Sequence, residues 1–201
     1  TPPGPRREDA WLMVEQAQRC RDILRRLAQA PEAGDILHER MSLIEVAREA
    51  SAGCADGPAA RVACALDGPP GMAAPQVWRR PAILHALTAF VENACDFAHA
   101  EIAVTARFDA TTIAIEVRDD GPGFSADVME KLGDPYLASR PRAQGPRAGH
   151  VGMGLGFFID KTLIEHTGGK VAFRNAPGGG AVVTARWPRE RVEAPHLAPR
   201  A

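Results

Sequence analysis

The chain has 201 residues, with 24 Lys+Arg against 25 Asp+Glu, so no charge excess points to a nucleic-acid partner. A hydrophobic share of 45% and a charged share of 24% suit a folded globular protein with room for one ordinary domain and an appendage. Cys20, Cys54, Cys64 and Cys95 form no C-x-x-C pair and have no His at zinc spacing, which argues against a zinc site; scattered as they are, they read as thiols of a reducing compartment rather than a secreted disulfide framework.

No apolar run reaches the roughly 20 residues of a membrane span. The opening Thr1-Pro2-Pro3, with neither Met nor a signal-like segment, reads as the start of a piece of a longer protein. Only Lys131, Lys161 and Lys170 are lysines, and 17 Pro with 19 Gly indicate many loops and a GC-rich, bacterial coding bias.

From Arg7 to Ala30, Met13, Ala17, Cys20, Leu24 and Leu27 recur at 4-3-4-3 spacing, a narrow helical stripe that wants a helical partner. Pro31 and Gly34 end it. The segment reads as one helix of a dimerising hairpin, against the plainer alternative of a helix docked on its own domain. Ser42 with Glu45 forms a capping box before a helix reaching about Ala50, and Val62 to Leu66 reads as a strand. Pro81 opens the strongest helix, Ala82 to Ala98, with Ile83, Leu84, Leu87, Phe90, Val91, Ala94 and Cys95 at helical period.

Ile102 to Phe108 and Thr112 to Val117 alternate as a hairpin. A glycine-rich turn, a short helix near Ser125 to Leu132 and a Pro/Gly/Arg-rich stretch to Val151 follow. A second long helix runs from Leu155 to His166 and stops at Gly168-Gly169. Two more strands, Val171 to Asn175 and Ala181 to Trp187, flank Gly178-Gly179-Gly180. The Pro- and Arg-rich end from Pro188 reads as disordered. Without strict β-α-β alternation, these elements predict a two-layer α/β sandwich: a mainly antiparallel sheet covered on one face by helices.

Four short motifs follow one another. Glu92-Asn93-Ala94 lies inside the strongest helix, where a carboxamide oxygen can serve a hard cation such as Mg²⁺ that takes few protein ligands. Asp119-Asp120-Gly121-Pro122-Gly123-Phe124 follows a strand; its first carboxylate can accept from an exocyclic amine while bare backbone lets a flat ring approach. Asp134-Pro135-Tyr136 ends an ordered segment. Gly152-Met153-Gly154-Leu155-Gly156 puts glycine amides at a helix N-terminus, where the dipole attracts phosphate. Singly each signal is weak, since an Asp-Gly-Pro-Gly turn is usually only a turn; the ordered set is specific.

In this order the motifs resemble the N, G1, F and G2 boxes of the catalytic ATP-binding domain of bacterial sensor histidine kinases, within the GHKL (Bergerat-fold) superfamily that includes gyrase and MutL. The resemblance spans about residues 40 to 187. It is nearest to the redox-responsive RegB/PrrB/ActS type, whose Glu-Asn-Ala-x-Asp-Phe-Ala pattern Glu92 to Ala98 follow.

The resemblance implies that Asn93 holds Mg²⁺ and Asp119 recognises the adenine amino group of ATP. It further implies that Gly121 and Gly123 shape the base pocket, with Tyr136 at its lid end, and that Gly152, Gly154, Leu155 and Gly156 meet the phosphates. Asp96 and Arg140 join the nucleotide contacts, Arg140 from a lid over Leu137 to His150, and Glu92 acts on the acceptor imidazole. Cys20 becomes a redox candidate, beside Arg19 and Arg21, whose positive charge favours thiolate.

The implied organisation is a part of the dimerisation hairpin at 1–34, the catalytic domain at 35–187 and a tail at 188–201. The implied partners are a response-regulator receiver domain and a second copy through the N-terminal helical region. Localisation is the cytoplasmic portion of a protein whose membrane anchor, if any, lies in a missing N-terminal part.

Two departures stand out. Ala89 occupies the place, one turn before Asn93, where many such kinases carry a second Asn and where the gyrase-like clamps carry their water-activating Glu; and no His-Glu-x-x-Thr-Pro-like acceptor box is present among His38, His85, His99, His150, His166 and His196. The leading reading is a histidine kinase catalytic domain. A degenerate nucleotide-binding or interaction module is the alternative, and an ATPase clamp is disfavoured by Ala89.

Overall fold

A computed structural model describes residues 39–55, 61–129 and 155–195. In chain order its elements are β1 (Arg40–Ser42), α1 (Leu43–Ala55), β2 (Arg61–Asp67), β3 (Gln76–Trp78), α2 (Pro81–Phe97), β4 (Glu101–Phe108), β5 (Thr112–Asp119), α3 (Ala126–Met129), α4 (Leu155–His166), β6 (Lys170–Asn175), β7 (Ala181–Pro188) and α5 (Arg189–Val192). The expected helix over 7–30 lies outside the described residues.

Five strands form one sheet in the order β2-β4-β5-β7-β6, antiparallel throughout except for the parallel β2–β4 edge pair. The period-2 alternation of β4 explains why one face is covered: Ile102, Val104, Ala106 and Phe108 are buried, while Glu101, Ala103 and Arg107 between them are exposed. On the covered face, α2 contributes Leu87, Phe90 and Val91, each 1% exposed or less. Burying side chains of this size stabilises the fold by about 1.5–3 kcal/mol each. The predicted two-layer sandwich is therefore the observed one.

Local signals place the helix ends. Ser42 and Glu45 form the reciprocal capping box, with Ser42 N–H donating to Glu45 Oε2 at 2.7 Å and Glu45 N–H to Ser42 Oγ at 3.3 Å. The helix continues past Ala50 to Ala55 because Ala50 and Cys54 keep the buried stripe going. At the end of α4, Gly168 takes φ +83°, and the N–H of Gly169 reaches back to the Ile164 carbonyl at 3.0 Å.

One unforeseen pairing and two corrected expectations stand out. The first concerns β1 and β3, which pair antiparallel as a separate two-stranded ribbon that three-residue strands gave no periodicity to reveal. The second is the tail: the chain beyond Pro188 is not disordered up to Pro195. Arg189 donates to the Thr111 carbonyl, Ala194 to the Gln76 carbonyl, and Val192 and Ala194 are buried. The doubly bonded Arg189–Glu193 pair, at 2.6 and 2.7 Å, holds this turn. Third, Cys54 and Cys95, read as separate thiols, are joined as a disulfide between α1 and α2, while Cys64 is a free thiol. Their 41-residue separation hides a pairing that only the packing of the two helices creates.

Candidate functional site: an aspartate, a glycine loop and a helix face

Helix α2 buries Ile83, Leu84, Ala86, Leu87, Phe90, Val91 and Ala94 against the sheet, which turns positions 89, 92, 93 and 96 away from it. Glu92 and Asp96 are exposed and Asn93 is half-buried. Asn93 and Asp96 share a face, with Ala89 one turn earlier. Ala89 is itself half-buried and brings no polar atom to that face.

Strand β5 ends at Asp119, a residue only 5% exposed. Its Oδ1 accepts from the backbone N–H of Gly121 at 2.9 Å and of Ala181 at 3.0 Å. Among the described residues no hydrogen bond reaches its Oδ2, so a buried acceptor is held rigidly with one oxygen uncommitted. Such a group demands a donor. An amine entering along the loop would provide it.

The two loop glycines serve the packing of their own backbone. A Cβ on Gly121 would collide with the Phe97 carbonyl at the end of α2, and Gly123 takes φ +76° with Asn175 against it. Both glycines thus seat the loop between α2 and β6, beyond the base-pocket role the motif implies.

Several residues that seat this loop were not singled out from the sequence. Asp120 accepts from the N–H groups of His99 at 2.8 Å and Ala100 at 3.1 Å, tying the loop to the connection between α2 and β4. Slight burial raises its pKa, but the N–H groups of Ala100, Glu101 and His99 more than offset this and hold it below the ordinary carboxylate value. Asn175, at the end of β6, grips Phe124 by both backbone groups. Gly180, at φ +90°, lets the chain pass directly over the Asp119 carbonyl. The sequence signals were an Asp-Asp doublet and an Asn just before a Gly-Gly-Gly turn, both of which read as ordinary turn chemistry.

Phe124 then inserts into an aromatic cluster, its ring centroid 6.1 Å from Phe157 of α4 and 6.2 Å from Phe173 of β6. Phe90 of α2 lies 6.0 Å from Phe157. Four phenylalanines therefore join the motif-bearing helices α2 and α4 to the aspartate loop.

Of the other sequence-predicted residues, Leu155 and Gly156 open α4. Tyr136, Arg140, Gly152, Gly154 and Cys20 lie outside the described residues. Among the described residues no group of three or more His, Cys, Asp and Glu could hold a metal, and no helix is long and apolar enough to cross a membrane.

Residues 79–191 match the family model described as histidine kinase-, DNA gyrase B-, and HSP90-like ATPase. That segment is more than half of the chain and contains α2, the Asp119 loop and α4. The chain belongs to this family.

The sensor histidine kinase RegB of Cereibacter sphaeroides is 36% identical over 208 residues, covering 96% of this chain and 45% of that protein. The signal transduction histidine-protein kinase AfsQ2 of Streptomyces coelicolor is 32% identical, covering 89% of this chain and 32% of that protein. The chain thus spans less than half the length of these relatives. Among solved structures, the histidine kinase domain of the E. coli osmosensor EnvZ has a TM-score of 0.56 at 23% identity, covering 85% of this chain and 98% of that one. The catalytic domain of the histidine kinase ThkA has a TM-score of 0.55 at 21% identity, with 75% and 96% covered. The fold is that of histidine kinase catalytic domains.

Proposed function

We propose that this chain binds Mg-ATP and supplies the catalytic half of a sensor histidine kinase, moving the γ-phosphoryl group to a histidine on an adjoining helix for relay to a receiver-domain aspartate. The observation that carries the reading is the buried Asp119, whose Oδ2 accepts no hydrogen bond from the described residues, at the edge of a loop packed against α2. The adenine amino group supplies the missing donor, and family membership supports nucleotide as the ligand. In such a transfer the protein acts by positioning and charge neutralisation.

Asn93 fits a role toward Mg²⁺ as a single neutral oxygen ligand, with water and phosphate oxygens completing a shell that needs no carboxylate cluster. When bound, the ion would supply charge neutralisation to the phosphate oxygens. Asp96, one turn on, joins the nucleotide contacts, and exposed Glu92 would orient the acceptor imidazole. Leu155 and Gly156 at the start of α4, with Gly152 and Gly154 just before them in the sequence, are assigned to the phosphates, and Tyr136 and Arg140 to the remaining nucleotide contacts.

Similarity to sensor histidine kinases supports a response regulator as partner and dimerisation in general; the proposal adds that the dimer forms through the N-terminal helical region, that the chain is the cytoplasmic portion of a membrane-anchored parent and that Cys20 is the redox-responsive thiol. The test offers labelled ATP and Mg²⁺ together with a separate helical fragment bearing a His-Glu-x-x-Thr-Pro box. Acid-labile label on that fragment is expected, with none on the chain itself. Nucleotide binding without transfer would reduce the chain to a binding module, and phosphate release without transfer would make it an ATPase.

A further inference from the structure

We propose that Cys54 and Cys95 are a reversible thiol–disulfide site that controls the order of the nucleotide-facing end of α2, with glutathione-class thiols and disulfides as its exchange partners. The control of ATP affinity that follows rests on the function proposed above; the exchange itself does not.

Cys54 lies in the last turn of α1 and Cys95 in the last turn of α2, with Cα atoms 6.5 Å apart, within the reach of a bridge. Cys95 sits between Asn93 and Asp96, so the bridge is anchored in the turn that presents those side chains. From the opposite side, Asp120 of the aspartate loop holds the N–H groups of His99 and Ala100 immediately after the helix. The end of α2 is therefore tethered twice, covalently to α1 and by hydrogen bonds to the loop that carries Asp119. Opening the covalent tether removes the fixed link to α1 and leaves the turn to its non-covalent contacts, among them the hydrogen bonds to Asp120 and the packing of Ala94.

Burial makes the exchange directional. Cys54 is 4% exposed, whereas Cys95 is half-buried at the surface of the helix pair. An incoming thiolate reaches the Cys95 sulfur, forms a mixed disulfide there and expels Cys54 as the leaving thiolate, which takes up a proton. A second small thiol attacks the mixed disulfide, releasing Cys95 as its thiol and carrying away the oxidised small disulfide. In sum the protein disulfide and two small thiols become two protein thiols and one small disulfide; oxidation is the reverse. Cys64, a free thiol on β2 with its sulfur 3.6 Å from Ser51 Oγ, serves as an internal reference for labelling.

The experiment uses the 201-residue chain carrying Cys20→Ser, which removes the N-terminal thiol from the count. The chain is equilibrated across glutathione redox buffers and alkylated, its modified thiols are counted by mass, and hydrogen exchange is followed at residues 92–98. Oxidising buffer should leave one alkylated thiol and reducing buffer three, with exchange at 92–98 rising about tenfold or more on reduction. Cys54→Ala and Cys95→Ala should each show the fast exchange in both buffers.

Three thiols in every buffer, or exchange at 92–98 that ignores the buffer, would overturn the proposal. Fluorescent ATP should bind the reduced form about five-fold or more weakly than the oxidised. If neither form binds it while the exchange switch operates, the proposed function fails and the thiol–disulfide site stands.

Discussion

Asn175 and Phe124 exchange two hydrogen bonds: the Phe124 N–H donates to Asn175 Oδ1 at 2.7 Å and Asn175 Nδ2 donates to the Phe124 carbonyl at 2.8 Å. An asparagine side chain thus stands in for a strand's backbone and fixes the end of the aspartate loop to β6, 51 residues away.

Asn175→Ala should free this loop end. The loss of two partly buried hydrogen bonds is expected to cost about 1–3 kcal/mol of stability. It should weaken ATP-analogue binding more than a core truncation of equal stability cost does. Asn175→Asp keeps the acceptor but sets a carboxylate against the Phe124 carbonyl, so it should not restore binding. Paired denaturation and titration curves check both outcomes.

Gly180→Ala probes the crossing over Asp119. A Cβ there meets the Asp119 carbonyl, and the φ of +90° strains any side-chain-bearing residue. Strain of this kind costs on the order of 1–3 kcal/mol before the collision is added. The melting temperature should fall by several degrees, at about 2–4 °C per kcal/mol for a chain of this size. By contrast Gly53→Ala, where a Cβ meets nothing within 4 Å, should leave it unchanged or raised.

Periodicity revealed the long elements because each of them buries one face: the alternation of β4 and the stripe of α2 each leave an imprint at their own period. Asp119 was legible through its position at a strand end before glycines. Asn175, Asp120 and Gly180 were not, because their partners are backbone groups brought near by the sheet order, and backbone partners leave no pattern in side-chain identity. The Cys54–Cys95 pairing was hidden because 41 residues separate the two cysteines and only the packing of α1 against α2 brings them together. The order after Pro188 was masked by a composition rich in Pro and Arg, although Val192 and Ala194 fill apolar sites.

Asp120 gives a pH signature. Its folded pKa lies below the ordinary 3.8 because, against a small burial effect, backbone N–H groups favour the carboxylate. The stabilisation is therefore fully present above that ordinary value and is lost as pH falls through the lower folded value. Asp120→Asn should melt below wild type at neutral pH, and the gap should close in acid. A gap unchanged between neutral pH and the acid limit would contradict the hydrogen-bonding account.

The most direct test is titration of fluorescent ATP into wild type and Asp119→Asn with Mg²⁺ present. The carboxamide loses the charge that an amine donor seeks, at a cost on the order of 1.5–3 kcal/mol, or about 10- to 150-fold in Kd. Adding chelator should then bring wild type and Asn93→Ala together, while Asp119→Asn stays weak. An Asp119→Asn variant that binds ATP as tightly as wild type would contradict the assignment of this site to adenine nucleotide.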